Sequence, residues 1–60
     1  MIYQDKNENI TYQVIKFGDD QVVLRIIKSE DFDDLGASAT VQASALVEPL
    51  RSVVRIAFNI

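Results

Sequence analysis

The sequence predicts a small all-β domain, 1–60, folded as an antiparallel meander of about five strands that closes partly into a barrel or sandwich. Three observations carry this expectation. Two eight-residue runs rich in Val, Ile, Tyr and Phe, Ile10 to Phe17 and Gln21 to Lys28, are bounded by turn residues. Such runs are strand signals. Apolar residues recur at every second position in Ala39, Val41, Ala43, Ala45 and Val47, and again in Val54, Ile56, Phe58 and Ile60, with the two-residue period of a strand. Polar clusters separate all of these segments.

The two central runs flank Gly18-Asp19-Asp20. With those three as a loop, Phe17 faces Gln21, Lys16 faces Val22, Val14 faces Leu24 and Tyr12 faces Ile26. That register collects Ile10, Tyr12, Val14, Val22, Leu24 and Ile26 on one side, whereas a slip of one residue would scatter them over both. The opening segment Ile2 to Gln4 is expected to pair with Ile10 to Val14 across the polar turn Asp5-Lys6-Asn7-Glu8-Asn9.

After Lys28 come Ser29-Glu30-Asp31-Phe32-Asp33-Asp34-Leu35-Gly36, with four carboxylates in five positions. This reads as an acidic loop holding one helical turn, begun by Ser29 as an N-cap and stopped by Gly36. Residues 37–48 carry two patterns. Ala39, Val41, Ala43, Ala45 and Val47 alternate as in a strand, while Leu35, Ala39, Ala43, Leu46, Val47 and Leu50 fall at helical spacing. The β-branched Thr40 and Val41 favour the strand. The alternative is an α+β fold in which residues 31–48 are partly helical and pack on a four-stranded sheet.

The last segment, Ser52 to Ile60, places Val54, Ile56, Phe58 and Ile60 on one face of a fifth strand. Joined through Glu48-Pro49-Leu50-Arg51, it would pair with residues 39–47 so that small side chains oppose large ones. Pro49 fits only outside such a ladder.

Size bears on function. A 6.8 kDa chain exposes roughly 9,900 Å² unfolded and about 4,000 Å² folded. If somewhat more than half of the hidden area is apolar, burial contributes about 90 kcal/mol. Ordering the chain costs about as much. Chains this small commonly rely on disulfides, a structural metal or a partner subunit. With no Cys and no His, self-association is the remaining route, and a monomer held by unusually good packing is the competing reading, since many domains of this size fold alone.

The outward positions of the expected strands agree with that. A half-exposed strand carries polar residues on its outer side. Here Ile15, Val23, Ile27, Leu46 and Val53 are mixed with Gln13, Arg25, Gln42, Ser44 and Arg55. Apolar residues with Arg and little Lys are the composition of interface cores. Ile15, Val23, Ile27, Val53, Phe58 and Ile60 are therefore candidate oligomer-interface residues. The competing reading is an ordinary second layer of core beneath the Phe32 and Leu35 loop.

Catalysis is not expected, because acid/base or nucleophilic work would fall to carboxylates, Lys, Ser or Tyr, and no phosphate-binding or serine-elbow pattern is present. The run Asp31 to Gly36 resembles the start of an EF-hand loop, yet its fifth position is Leu35 and its twelfth is Gln42, where a bidentate Glu is required. No cofactor, metal or small-molecule substrate is expected. The acidic group Glu30, Asp31, Phe32, Asp33 and Asp34 is a candidate partner-docking loop, carboxylates steering a basic surface and Phe32 anchoring it. Its bland counterpart is a solvated loop that keeps the chain soluble, with Phe32 and Leu35 folded back as a lid on the core. Lys16, Arg25, Lys28, Arg51 and Arg55 offer cations for a nucleic-acid-binding barrel, against a net charge of −3.

The expected role is a non-catalytic, homo-oligomeric assembly or protein–protein interaction module, such as an accessory subunit or virion-decoration protein. A small acidic inhibitor or adaptor acting through the 30–34 loop is the second reading, and a nucleic-acid-binding barrel the third. The start lacks the basic-then-apolar order of a signal peptide and no run reaches the length of a bilayer span, which points to a cytoplasmic or virion location.

Overall fold

The computed structural model describes residues 1–60 as one antiparallel sheet with a carboxy-terminal helix. Strands β1 (Ile2–Asp5), β2 (Ile10–Lys16), β3 (Gln21–Lys28) and β4 (Ser38–Gln42) lie side by side in chain order, and helix α1 spans Leu50–Phe58. Two short 3-10 turns, Phe32–Asp34 and Ala43–Ala45, complete the path. No helix is long and apolar enough to cross a membrane.

The central hairpin has the register that the alternation requires: Lys16 pairs with Val22, Val14 with Leu24 and Tyr12 with Ile26. Phe17 donates its backbone N–H to Gln21 O at 2.8 Å, closing the loop. A bulge between Thr11 and Tyr12 shifts the far end, so that Thr11 pairs with Lys28 rather than sharing a row with Ile27. Strand β1 adds to β2 with Tyr3 opposite Tyr12. Its turn is built by the Asp5 carboxylate, which accepts from the N–H groups of Asn7 and Glu8 at 3.0 and 3.2 Å, and by Asn9 at φ 55°. Asp and Asn are favoured here because a short side chain can bond its own turn and tolerate positive φ.

Between β3 and β4 the acidic segment forms a single 3-10 turn. Asp31, not Ser29, caps it, its carboxylate accepting from Asp33 N at 3.0 Å, while Ser29 Oγ accepts from Asp31 N. Gly36 at φ 82° ends the loop and donates to Ile26 O. A residue with a Cβ is strained at that φ.

Three expectations need correction. The sheet has four strands and is open, not a five-stranded, partly closed barrel. Residues 37–48 divide, with Ser38–Gln42 in a strand and Ala43–Ala45 in a 3-10 turn, and β4 pairs with β3 instead of with the last segment. That last segment is helix, not strand. Leu50, Val53, Val54 and Phe58 fall at helical spacing, and the helix ends where Asn59 adopts φ 57°, its N–H and that of Ile60 both donating to Arg55 O. At the other end the Glu48 carboxylate accepts from Ser52 N at 2.8 Å and from Ser52 Oγ. Those bonds, followed by the Arg51 guanidinium 3.3 Å away, hold the Glu48 pKa below its ordinary value. The α+β alternative fits the four-stranded sheet, although its main helix follows residues 31–48 instead of lying within them.

Val14 and Val22 from the sheet, Ala43 and Leu46 from the crossing chain, and Leu50 and Val54 from α1 make one buried cluster, flanked by Met1, Tyr3, Tyr12, Leu24, Val41 and Phe58. The crossing is pinned by Asp20. Its backbone oxygen accepts from Ala43 N at 2.8 Å, and its carboxylate accepts from Ser44 N and Oγ at 3.3 and 2.7 Å. The molecule measures 32 × 19 × 17 Å, and its radius of gyration of 11.1 Å exceeds the roughly 10.4 Å usual for this length. Its core occupies one side of the sheet only.

Candidate functional surfaces

Two surfaces are left open by this arrangement. The first is the outer face of the sheet, opposite α1. Strand alternation and the pairings Ile2 with Gln13, Ile15 with Val23, Gln13 with Arg25 and Val23 with Thr40 place Ile2, Ile15, Val23, Ile27, Gln13, Arg25 and Thr40 together. Ile2, Ile15 and Ile27 are 59%, 47% and 44% exposed, and Val23 is half-buried. Nothing else in the chain covers them, because the crossing segment and α1 both lie on the inner side.

The six candidate interface residues therefore separate. Ile15, Val23 and Ile27 share the outer face. Val53 and Phe58 belong to α1, where both are half-buried and Phe58 packs against the core, and Ile60 follows the helix at 40% exposure. Leu46, expected on the outward side, is buried in the core. Ile2, absent from the candidates, is the most exposed aliphatic of the outer face. Its parity was legible once β1 was paired with β2.

The second surface is the far half of the inner face, which α1 leaves bare. Tyr12, Leu24, Ile26, Ala37 and Ala39 wall an open hollow of about 180 Å³, with Ser38 its single polar lining residue. The acidic loop borders it, since Asp34 O accepts from the N–H of Ala37 at 3.1 Å. Asn9 Nδ2 donates to Glu30 Oε1 at 2.6 Å, tying the β1–β2 turn to the same end. Glu30, Asp31 and Asp33 are exposed there, Asp34 is half-buried, and Phe32 is 82% exposed. Phe32 does not fold back as a lid on the core. No group of three or more carboxylates converges on a point where a metal ion would be held.

Burial first, then the nearby carboxylates of Asp5, Glu8 and Asp34, push the Tyr12 phenol above its ordinary pKa. A raised value means the folded state holds this proton more tightly. The resulting stability is fully present below about pH 10, the unfolded value, and is lost as pH rises through the folded one. Thermal melts between about pH 9 and 11.5 are expected to show a steeper alkaline loss for the natural chain than for Tyr12→Phe. Equal slopes would contradict this environment for Tyr12.

Of the cations, Arg25 lies on the outer face, while Arg51 and Arg55 belong to α1 on the other side. Arg25 and Arg55 therefore form no joint basic surface. No family model matches the chain, and no curated protein or solved structure matches it.

Proposed function

We propose that the chain is a non-catalytic assembly module whose outer sheet face packs against the same face of a second copy. The observation that carries this reading is a whole sheet face left uncovered while bearing Ile2, Ile15, Val23 and Ile27. Around them stand Gln13, Thr40 and Arg25, with Lys28 opposite Thr11 at the end of β3 and no carboxylate. Apolar residues with Arg at the centre, Lys28 only at the rim and no Asp or Glu match the composition of interface cores.

Area supports the same reading. Only six of 60 residues are buried, and the accessible surface of 4256 Å² exceeds the roughly 4,000 Å² expected for this mass. Four strands about 4.8 Å apart, of four, seven, eight and five residues, make a planar footprint on the order of 400 Å². Side-chain relief raises that toward the roughly 800 Å² per partner of a standard interface. A two-fold axis through the face would make the contact isologous, the commonest way for one chain to assemble.

Sedimentation equilibrium across micromolar concentrations tests the reading. The expected result is a mass of twice 6.8 kDa that falls toward one copy on dilution. A single 6.8 kDa species at every concentration overturns it.

A further inference from the structure

The geometry points to a second, separate docking site: the free edge of β4 together with the apolar hollow beside it accepts, as an added strand, an extended protein segment in which apolar and basic residues alternate. The edge comes first. Ile26 N donates to Ala37 O at 2.9 Å. Alternation along an antiparallel ladder then turns the backbone groups of Ala39 and Val41 toward β3, and those of Ser38, Thr40 and Gln42 outward. Edge strands are ordinarily blunted by charge, Pro or a bulge. Strand β4, Ser-Ala-Thr-Val-Gln, has none of these, whereas the opposite edge, β1, is four residues long and ends in Asp5.

The hollow supplies the apolar pocket. A strand added about 4.8 Å beyond β4 turns every second side chain toward the inner face. Ala39 is small and exposed, so a large apolar side chain from the new strand leans across it to Leu24, Ile26 and Tyr12.

Charge chooses the occupant. Glu30, Asp31, Asp33 and Asp34 in the β3–β4 loop join Asp5 and Glu8 of the β1–β2 turn at this end, against Lys6 and Lys28. None of these groups is in an ion pair, the chain's one salt bridge being Arg51 with Glu48. Unneutralised carboxylates at this end favour a guest of net positive charge, and since the pocket takes the inward side chains as apolar ones, Lys or Arg fall at the alternate positions, drawn by the field of the loop and not by contact inside the pocket. A second copy's own β4 fits poorly, because it brings no cation and only Val41 as a sizeable apolar side chain. The outer sheet face is not involved, so this site stands whether or not copies pair there.

The test uses the full chain and a blocked octapeptide of alternating Lys and Val, followed by amide chemical shifts. The expected shifts fall on residues 37–42, Tyr12, Leu24 and Ile26, with affinity that weakens as salt rises. The triple variant Asp31→Asn, Asp33→Asn, Asp34→Asn is expected to bind about tenfold more weakly at low salt. Thr40→Pro removes an outward N–H without breaking a bond to β3, and is expected to abolish binding while the remaining sheet shifts stay in place. Ala39→Phe, which fills the hollow from within, gives a second route to the same loss. The proposal is overturned if a Glu–Val octapeptide binds as well, if the shifts fall on Ile15 and Val23, if both Thr40→Pro and Ala39→Phe still bind, or if β4 shifts follow protein concentration without peptide.

Discussion

Val54→Ala is expected to lower the melting temperature by about 10–20 °C, while Ile56→Ala, two residues on, leaves it nearly unchanged. Val54 is fully buried against Val14 and Val22, whereas Ile56 is 82% exposed. Removing two buried carbons forfeits about 1.6 kcal/mol of transfer free energy, and the cavity left behind raises the cost to about 2.5 kcal/mol. A 60-residue chain has only about 3–9 kcal/mol in all, so the loss is a large share of the total. The pair of variants also separates two readings of the same residues. On a strand, Val54 and Ile56 would share a face and the two substitutions would cost alike. Thermal melts at one fixed protein concentration make the comparison, because association shifts apparent stability.

That contrast marks where the sequence was ambiguous. The central hairpin was legible because Ile10, Tyr12, Val14, Val22, Leu24 and Ile26 can share a face in only one register, and the loop Gly18-Asp19-Asp20 agrees with it. The segment 50–58 satisfies both periods at once. Even-numbered Val54, Ile56, Phe58 and Ile60 read as a strand, and Leu50, Val53, Val54 and Phe58 read as a helix. Tertiary packing decides between them, since the helical stripe is what fits over Val14 and Val22, and it does so by leaving Ile56 in water. Two local signals favoured the helix in advance. Glu48 precedes the first turn where its carboxylate can take up the Ser52 N–H, and Asn59 tolerates the left-handed φ that stops a helix. The candidate sites were legible to the extent that they depended on the sheet. Ile15, Val23 and Ile27 were placed correctly on the outward side, while Val53, Phe58 and Ile60 were tied to a strand that does not form. The hollow was not legible, because it depends on where α1 ends its cover.

Replacing Ile15 by Lys and Val23 by Glu together is expected to raise the dimer dissociation constant by about a thousandfold while leaving each copy folded. Ile15 and Val23 are directly paired across β2 and β3, so in a free copy the two new charges face one another on an exposed surface, a pairing worth about 0.2–1 kcal/mol. The net charge stays at −3, which removes general repulsion as an explanation. In the dimer the same side chains would have to be stripped of water at the centre of the interface. Exchanging apolar contacts for buried ion pairs there costs about 4 kcal/mol over the two copies, which corresponds to about a factor of a thousand. Sedimentation velocity and far-ultraviolet circular dichroism on the same sample separate the two effects. Loss of the dimer with the spectrum retained is the expected outcome, and a dimer of unaltered affinity would place the contact elsewhere.

Assembly through the outer sheet face turns on what covers that face in solution. Isotope-filtered nuclear Overhauser spectroscopy on an equal mixture of labelled and unlabelled chain reads this directly, since only methyl groups touching another copy give cross-peaks. Cross-peaks from Ile2, Ile15 and Val23 to the unlabelled copy, and none from Val54, are expected. Silent Ile15 and Val23 methyls at a concentration where the chain is associated, or cross-peaks confined to β4 or α1, would contradict it.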